Sequence, residues 1–197
     1  VGFRGPGFSL SPTVIDVLGV RGYEYDCSTL PTYFAPIARA VYFLRSPAMS
    51  ADEREKLKKL FGKFADGFQT LSPHLVEAGG RHLVEIPVTT FPIIKIPIHA
   101  TYLHYLSAFS APLAKAYWRS AIAACSVTGV QPSMLLHPLD FLSGEDIPEL
   151  KFFPGMNVPT EKKLELMDSV IGSYGAKFEI VNMREHAKRF RQNAPAA

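Results

Sequence analysis

The chain has 197 residues, of which 47% are hydrophobic and 20% are charged, so it is long enough for one globular domain with its own core. A formal net charge of +3 and scattered basic residues argue against the strongly basic surface of a nucleic-acid-binding protein. No apolar run reaches the roughly 18 residues of a membrane-crossing helix, so no transmembrane segment is predicted.

The stretch 1–28 predicts a βαβ unit. GFRGPGF is typical of a short strand that runs into a turn, because its glycines allow unusual backbone angles and Pro6 fixes one of them. Ser11 followed by Pro12 predicts a helix start, and the glycines near Gly19 predict its end. YEYDCST then reads as a second strand. This order predicts two parallel strands joined by a right-handed crossover.

Residues 31–82 interrupt the alternation of strands and helices. Ser50–Glu53 has the pattern of a capping box, which predicts a charged helix through Leu60. SPHLVEAGGRH is typical of a turn between two short extended segments. Three prolines mark the irregular part of the region: Pro31, Pro36 and Pro47. We interpret about 31–82 as an insertion beside the main fold.

The second half of the chain returns to alternating elements. LVEIPVTT predicts a strand, and Pro112 to Thr128 predicts a helix that ends at Gly129. SMLLH predicts a buried strand with His137 at its carboxyl end. Thr160 is predicted to cap a long helix, after which FEIVNM predicts a last strand and REHAKRF a terminal helical segment.

This pattern predicts an α/β fold with a mostly parallel sheet, in one domain over 1–197. In such folds the polar residues that do chemistry gather at the carboxyl ends of the strands. Here those residues are Arg4, Asp26 and His137. We therefore expect the three side chains to belong to one site.

Three stretches, in order, resemble the polysaccharide deacetylase (NodB-homology) family. GFRGPGFS is similar to its R-x-P motif, with Arg4 and Pro6, and GYEYDCST is similar to the strand that follows. SMLLHPLDFL is similar to its L-x-H motif, with Leu135 and His137. The resemblance covers nearly the whole chain. It implies a distorted (β/α) barrel, of which this chain is a partial one with the N-terminal strands missing.

The resemblance also implies a reaction, the hydrolysis of N-acetyl groups from a polysaccharide or glycolipid. In the family a divalent metal, often zinc, is held by an Asp and two His, and it polarises the acetamide and activates water. A second Asp is the general base and a His is the general acid. The implied substrate is a bacterial envelope polysaccharide. The protein could then be located in the cytoplasm or in the cell envelope, and the sequence does not decide between them.

Carried over by position, His137 is the general acid that protonates the departing amine. Arg4 orients the catalytic Asp and keeps the pKa of that carboxyl low, since a guanidinium matches a carboxylate. Asp26 stabilises the charged form of His137. Leu135 lines the pocket for the acetyl methyl, and Pro6 lies beside the substrate. Asp140 approaches the substrate or orients His137, and a carboxylate that merely holds a turn is the competing interpretation.

One departure from the family pattern concerns the metal. The family's metal ligands and general base lie in motifs that precede R-x-P, which starts here at Arg4. We therefore expect the chain to be the C-terminal portion of a catalytic domain that holds no metal and is inactive alone. The alternative is a non-catalytic glycan- or protein-binding domain. A complementing N-terminal segment or subunit would cover its exposed strand edges.

Two other groups of residues have competing interpretations. His99 and His104 are metal-ligand candidates, but their spacing of five makes them diverge on a helix, which favours core or lid positions. Tyr23, Tyr25 and Trp118 either form a sugar-stacking platform or pack in the core.

Overall fold

A computed structural model describes residues 1–45 and 63–194 of the chain. The predicted capping box at Ser50–Glu53 and its helix through Leu60 lie outside these residues. The chain divides into two compact units, which we call unit 1 and unit 2. Unit 1 comprises Val1–Val88 and Val181–Ala197, and unit 2 comprises Thr89–Ile180.

The described residues form four strands and six α-helices. The strands are β1 (Gly2–Phe3), β2 (Tyr25–Asp26), β3 (His74–Ala78) and β4 (Arg81–Glu85). The helices are α1 (Pro12–Val20), α2 (Ala35–Arg45), α3 (Ala100–Ser107), α4 (Ala111–Thr128), α5 (Thr160–Gly175) and α6 (Met183–Asn193). The fold is thus mixed α/β. None of the helices in 1–45 and 63–194 is long and apolar enough to cross a bilayer.

Unit 1 contains a small open sheet in the order β1-β2-β4-β3. The pairs β1/β2 and β2/β4 are parallel, and β3/β4 is an antiparallel hairpin. Gly79 and Gly80 make the hairpin turn with positive φ angles of 55° and 78°, a conformation that favours glycine. The predicted βαβ unit is confirmed, because α1 connects the parallel strands β1 and β2.

The sequence signals of α1 act as predicted. The Ser11 hydroxyl accepts a hydrogen bond from the Val14 backbone N–H at 3.3 Å, and Pro12 occupies the first helical turn. Leu18 of α1 is buried with Ala78 and Leu83 of the hairpin. A second cluster lies between the sheet and α6, where Cys27, Val84, Ile86 and Ala187 are buried together.

The core of unit 2 is built by α3, α4 and α5. Trp118 of α4 is 2% exposed, and its indole N–H donates to the Val170 carbonyl at 3.2 Å and to the Ser173 hydroxyl at 2.9 Å on α5. Gly129 ends α4 in the left-handed conformation, with φ 71°, as predicted. The buried side chains of this core come mostly from the helices: Ile98, Leu103, Ala114, Trp118, Ile122, Leu166, Met167 and Val170.

Three predictions about elements of the second half are wrong. SMLLH is an irregular segment: the Ser133 carbonyl accepts from Thr89 N–H at 3.3 Å and the Leu135 carbonyl from Ala100 N–H at 3.4 Å, but these bonds do not form the ladder of a strand. FEIVNM is not a strand either, because Asn182 caps α6 by accepting from Glu185 N–H at 2.9 Å. Thr160 begins α5 but does not cap it; its hydroxyl donates to Asp146 at 2.6 Å.

Candidate functional site

In unit 2, a buried carboxylate contacts the predicted general acid. His137 lies at the end of the irregular segment, and a short 3-10 turn over Pro138–Asp140 folds the Asp140 carboxylate back onto it. Asp140 Oδ2 accepts from the His137 backbone N–H at 2.7 Å and lies 3.5 Å from His137 Nδ1. The His137 side chain is 46% exposed, whereas that of Asp140 is 2% exposed. The imidazole is therefore accessible to a ligand while its partner is shielded.

Thr101, in the first turn of α3, completes this contact. Its hydroxyl donates to Asp140 Oδ1 at 2.8 Å and lies 3.3 Å from His137 Nδ1. Burial alone would raise the pKa of Asp140. The hydrogen bonds from His137 and Thr101 outweigh burial, and the pKa of Asp140 lies below its ordinary value. Asp140 is thus a carboxylate at neutral pH.

Lys163 of α5 holds the turn that carries Asp140. It is 1% exposed, and its ammonium donates to the Leu139 carbonyl at 2.7 Å and to the Leu142 carbonyl at 2.5 Å. Burial lowers the pKa of Lys163, and the Asp140 and Asp146 carboxylates oppose that effect. A buried ammonium needs such partners, because an uncompensated charge in the interior is costly.

Two more histidines lie in unit 2 near these residues. Burial lowers the pKa of His104 to about 4, so this imidazole is neutral at physiological pH. His99 is 7% exposed, and its ring centroid lies 4.7 Å from that of Tyr102 and 6.0 Å from that of His137. The two side chains have different neighbours, as their spacing predicted. Within 1–45 and 63–194, no three His, Cys, Asp or Glu side chains form a metal-binding group.

In unit 1, the predicted R-x-P turn is joined to the end of β2. Arg4 Nε donates to the Cys27 carbonyl at 3.0 Å. Gly5 N–H donates to the Ser28 hydroxyl at 2.7 Å, and that hydroxyl donates to Asp26 Oδ1 at 2.8 Å. Asp26 is fully buried and also accepts from Ser28 N–H at 2.8 Å. These bonds fix the guanidinium of Arg4 close to the carboxyl end of a parallel strand.

Glu85 is a buried acid that sequence reasoning missed. It is 2% exposed and pairs with Asp26 across the parallel strands β2 and β4, so both side chains leave the same face of the sheet. Burial and the neighbouring Asp26 carboxyl raise the pKa of Glu85 to about 8. Glu85 is therefore mostly protonated at neutral pH. The sequence feature that could have indicated this buried acid is the position of a glutamate inside the apolar run LVEIPV.

A cleft of about 330 Å³ lies in unit 1 beside these residues. Its walls are formed by the segments that follow β1 and β2 and by part of the predicted insertion. They carry polar side chains, among them Ser9, Thr29, Thr32, Lys63, Asp66 and Gln69. The cleft can therefore offer several hydrogen-bonding groups to a polar ligand.

The six predicted site residues lie in both units. Arg4, Pro6 and Asp26 belong to unit 1, where Arg4 contacts the residue that follows Asp26 and Pro6 is exposed. Leu135, His137 and Asp140 belong to unit 2, where His137 and Asp140 are in contact and Leu135 is 2% exposed.

Each of the three aromatic residues with a competing sugar-stacking interpretation packs within its own unit. Trp118 is buried in unit 2, and Tyr25 and Tyr23 pack against the core clusters of unit 1. The core interpretation of these three residues is therefore confirmed.

Comparisons of the chain with protein-family models, with curated proteins and with solved structures gave no match.

Proposed function

We propose that this chain takes part in the hydrolysis of N-acetyl groups from a polysaccharide or glycan, within a partial (β/α) barrel of the polysaccharide deacetylase type. The ordered R-x-P and L-x-H motifs support the proposal. The observation that carries it is the pairing of an exposed imidazole, His137, with a buried carboxylate, Asp140. That pair has the parts of a proton-transfer group whose orientation is set by a second residue.

In this proposal His137 protonates the amine as it leaves the tetrahedral intermediate. Amide cleavage requires that proton, because an unprotonated amine is a poor leaving group, and histidine changes charge near physiological pH. Arg4 orients a carboxylate base through its guanidinium, and Asp26 fixes the strand end beside Arg4. By the same resemblance, Leu135 lines the pocket for the acetyl methyl.

A divalent metal, zinc in many members of the family, would polarise the acetamide carbonyl. The described residues of this chain hold no set of three metal-ligating side chains, so they do not fit such an ion and no step assigned to them involves it. In the family, the ligands lie in motifs that precede R-x-P. We propose that a complementing N-terminal segment or subunit carries them.

The test is deacetylation of a chitooligomer with and without zinc, by the chain alone and with a segment that carries the family's Asp-Asp and H-x-x-x-H motifs. We expect acetate release only from the zinc-loaded combination. Its rate should fall about 100-fold or more in His137→Gln, the usual contribution of a general acid. His74→Gln, on β3, is the control and should keep its rate. An inactive combination overturns the function, and full activity of His137→Gln overturns the role.

The alternative is a non-catalytic glycan-binding domain, and an aromatic cluster in unit 1 favours it. The rings of Phe64 and Phe68 each lie 5.2 Å from that of Tyr33, and they are 57% and 74% exposed. Asp66 and Gln69 of the same segment line the cleft. Exposed rings beside hydrogen-bonding groups suit the apolar and polar faces of a sugar.

Titration calorimetry with a chitooligomer separates the two functions. Binding without turnover, weakened at least tenfold in Phe64→Ala and Phe68→Ala, supports the binding domain. Phe109→Ala is the control, since Phe109 is 73% exposed in unit 2. Unchanged binding in the two variants overturns this alternative.

A further inference from the structure

The hydrogen bonds around His137 determine which ring nitrogen carries the proton. Asp140 Oδ1 accepts the Thr101 hydroxyl proton at 2.8 Å, so the only hydrogen of that hydroxyl is used. At 3.3 Å from His137 Nδ1, the Thr101 oxygen can therefore only accept. Asp140 Oδ2, at 3.5 Å, is also an acceptor. The Asp140 backbone N–H also lies near the His137 side chain, but it donates to the His137 carbonyl at 2.9 Å. The two side-chain oxygens beside Nδ1 are acceptors, so Nδ1 is the nitrogen that bears hydrogen.

Lys163 keeps this arrangement of acceptors in place. Its ammonium binds the carbonyls of Leu139 and Leu142, on either side of the residues that include Asp140. The positive charge also favours the ionised form of Asp140, and an ionised carboxylate has no hydrogen to offer Nδ1. His104, whose pKa is about 4, is neutral and adds no competing charge.

We infer that Thr101, Asp140 and Lys163 form a positioning unit that holds neutral His137 as the Nδ1–H tautomer, with Nε2 as the nitrogen that exchanges protons with a ligand. A histidine side chain free in water prefers the Nε2–H tautomer, so the hydrogen bonds of the protein must impose this one. The link to amine protonation rests on the proposed function. The tautomer itself is a property of the chain without substrate.

The experiment is two-bond 1H–15N NMR of 15N-histidine-labelled full chain, at a pH where the imidazoles are neutral. His137→Gln assigns the signal by its loss. We expect the wild-type protein to show mainly Nδ1–H for His137. Asp140→Asn should reverse the major tautomer to Nε2–H. The amide oxygen keeps the bond from the His137 N–H, the amide nitrogen donates to the Thr101 oxygen, and the Thr101 hydroxyl hydrogen is then free to donate to Nδ1. Thr101→Val, an isosteric change that removes the bridging hydroxyl, should shift the population in the same direction.

Matched controls separate the positioning unit from general effects of mutation. Lys162 is the exposed neighbour of Lys163 and pairs with Glu165 at 3.0 Å. Lys162→Met removes its charge and should leave the tautomer of His137 unchanged. Thr128→Val, whose hydroxyl bonds only the backbone of α4 in the described structure, should do the same. Lys163→Met should lower the Nδ1–H population. If that variant does not fold, Thr101→Val carries the test.

A wild-type signal dominated by Nε2–H overturns the inference, as does a tautomer unchanged in both Asp140→Asn and Thr101→Val. This result is independent of deacetylation. If the tautomer is as expected and the zinc-loaded combination releases no acetate, the proposed function fails and the positioning unit stands. If acetate is released while the tautomer is Nε2–H, the positioning unit fails and the function stands.

Discussion

At the scale of single residues, the pairing of β2 with β4 brings two carboxyl groups of unit 1 together, those of Asp26 and Glu85, and so affects the pKa of Glu85. Asp26 and Glu85 face one another across β2 and β4, and both are almost fully buried. Two adjacent carboxyl groups cannot both ionise cheaply away from water. The proton on Glu85 is therefore part of the folded structure.

This pair predicts that unit 1 loses stability as the pH rises. The pKa of Glu85 is about 8 in the folded state against an ordinary value of 4.5. The contribution of Glu85 to the free energy of unfolding is thus complete below pH 4.5. It is lost as the pH rises to 8, by at most about 5 kcal/mol. Glu85→Gln keeps the hydrogen bonds but cannot ionise. Urea midpoints at pH 6.5 and pH 8, where the His104 contribution is complete, should differ for the wild type and agree for the variant.

Glu77→Gln on β3 is the control for this prediction. Glu77 is exposed, so its variant should retain the wild-type difference between the two pH values. A wild-type protein that is equally stable at both pH values would contradict the raised pKa of Glu85.

Residue patterns gave only part of the candidate sites. His137 could be found because its polar side chain ends an apolar run, and Asp140 because it follows three residues later. The Asp26–Glu85 pair could not be found this way, because it depends on the register of two strands far apart in sequence. The same holds for Lys163, which reaches the turn near Asp140 from a separate helix.

At the scale of secondary-structure elements, two helical glycines have opposite roles. Gly19 of α1 lies against β3, where an added Cβ would come within 1.9 Å of the Ala78 carbonyl oxygen. Gly172 of α5 is exposed, and an added Cβ would have no atom within 4 Å. Only the first glycine is needed for the close approach of two elements.

We therefore predict opposite effects of the same substitution. Gly19→Ala should destabilise the protein by about 1–3 kcal/mol, because α1 must move away from the hairpin. Gly172→Ala should stabilise it by about 0.5–1 kcal/mol, because alanine favours the helix. Thermal unfolding of both variants measures the difference. A Gly19→Ala protein as stable as the wild type would contradict the packing of α1 on β3.

Helices were easier to predict than strands for a physical reason. The limits of these helices depend on local signals: Ser11 with Pro12 marks the start of α1, and Gly129 marks the end of α4. A strand needs a neighbouring strand to pair with, and neither of the apolar runs SMLLH and FEIVNM is part of a sheet in the described structure. Whether the sheet belongs to a deacetylase-type barrel, and whether 1–197 is one domain, remain predictions.

At the scale of the whole molecule, each unit contains a buried group whose pKa is shifted, and the two groups change stability with pH in opposite directions. The pKa of His104 in unit 2 falls to about 4 from an ordinary 6.5, chiefly through burial. Its contribution to stability is complete above pH 6.5 and is lost as the pH falls to 4, by about 3 kcal/mol. Glu85 acts on unit 1 between pH 4.5 and 8. Together they predict a stability plateau between about pH 4.5 and 6.5.

His104→Leu should remove the loss of stability on the acid side. Leucine cannot be protonated, and neither ring nitrogen of His104 has a hydrogen-bond partner among the described residues that leucine would forfeit. In chemical denaturation, the stability of the wild type relative to the variant should rise by about 3 kcal/mol from pH 4 to pH 6.5, because the Glu85 effect is common to both proteins. His82→Leu on β4 is the control, since His82 is exposed. Equal acid sensitivity of wild type and His104→Leu would contradict the prediction.

The chain has one tryptophan, and Trp118 lies inside the helical core of unit 2. Indole emission shifts to longer wavelength when the ring meets water, so this fluorophore reports the opening of Thr89–Ile180 and is blind to melting confined to the sheet. Acid should therefore change the emission early, and mild alkali should alter the circular dichroism first. One unlabelled sample thus contains an optical reporter that identifies which half of the protein has opened.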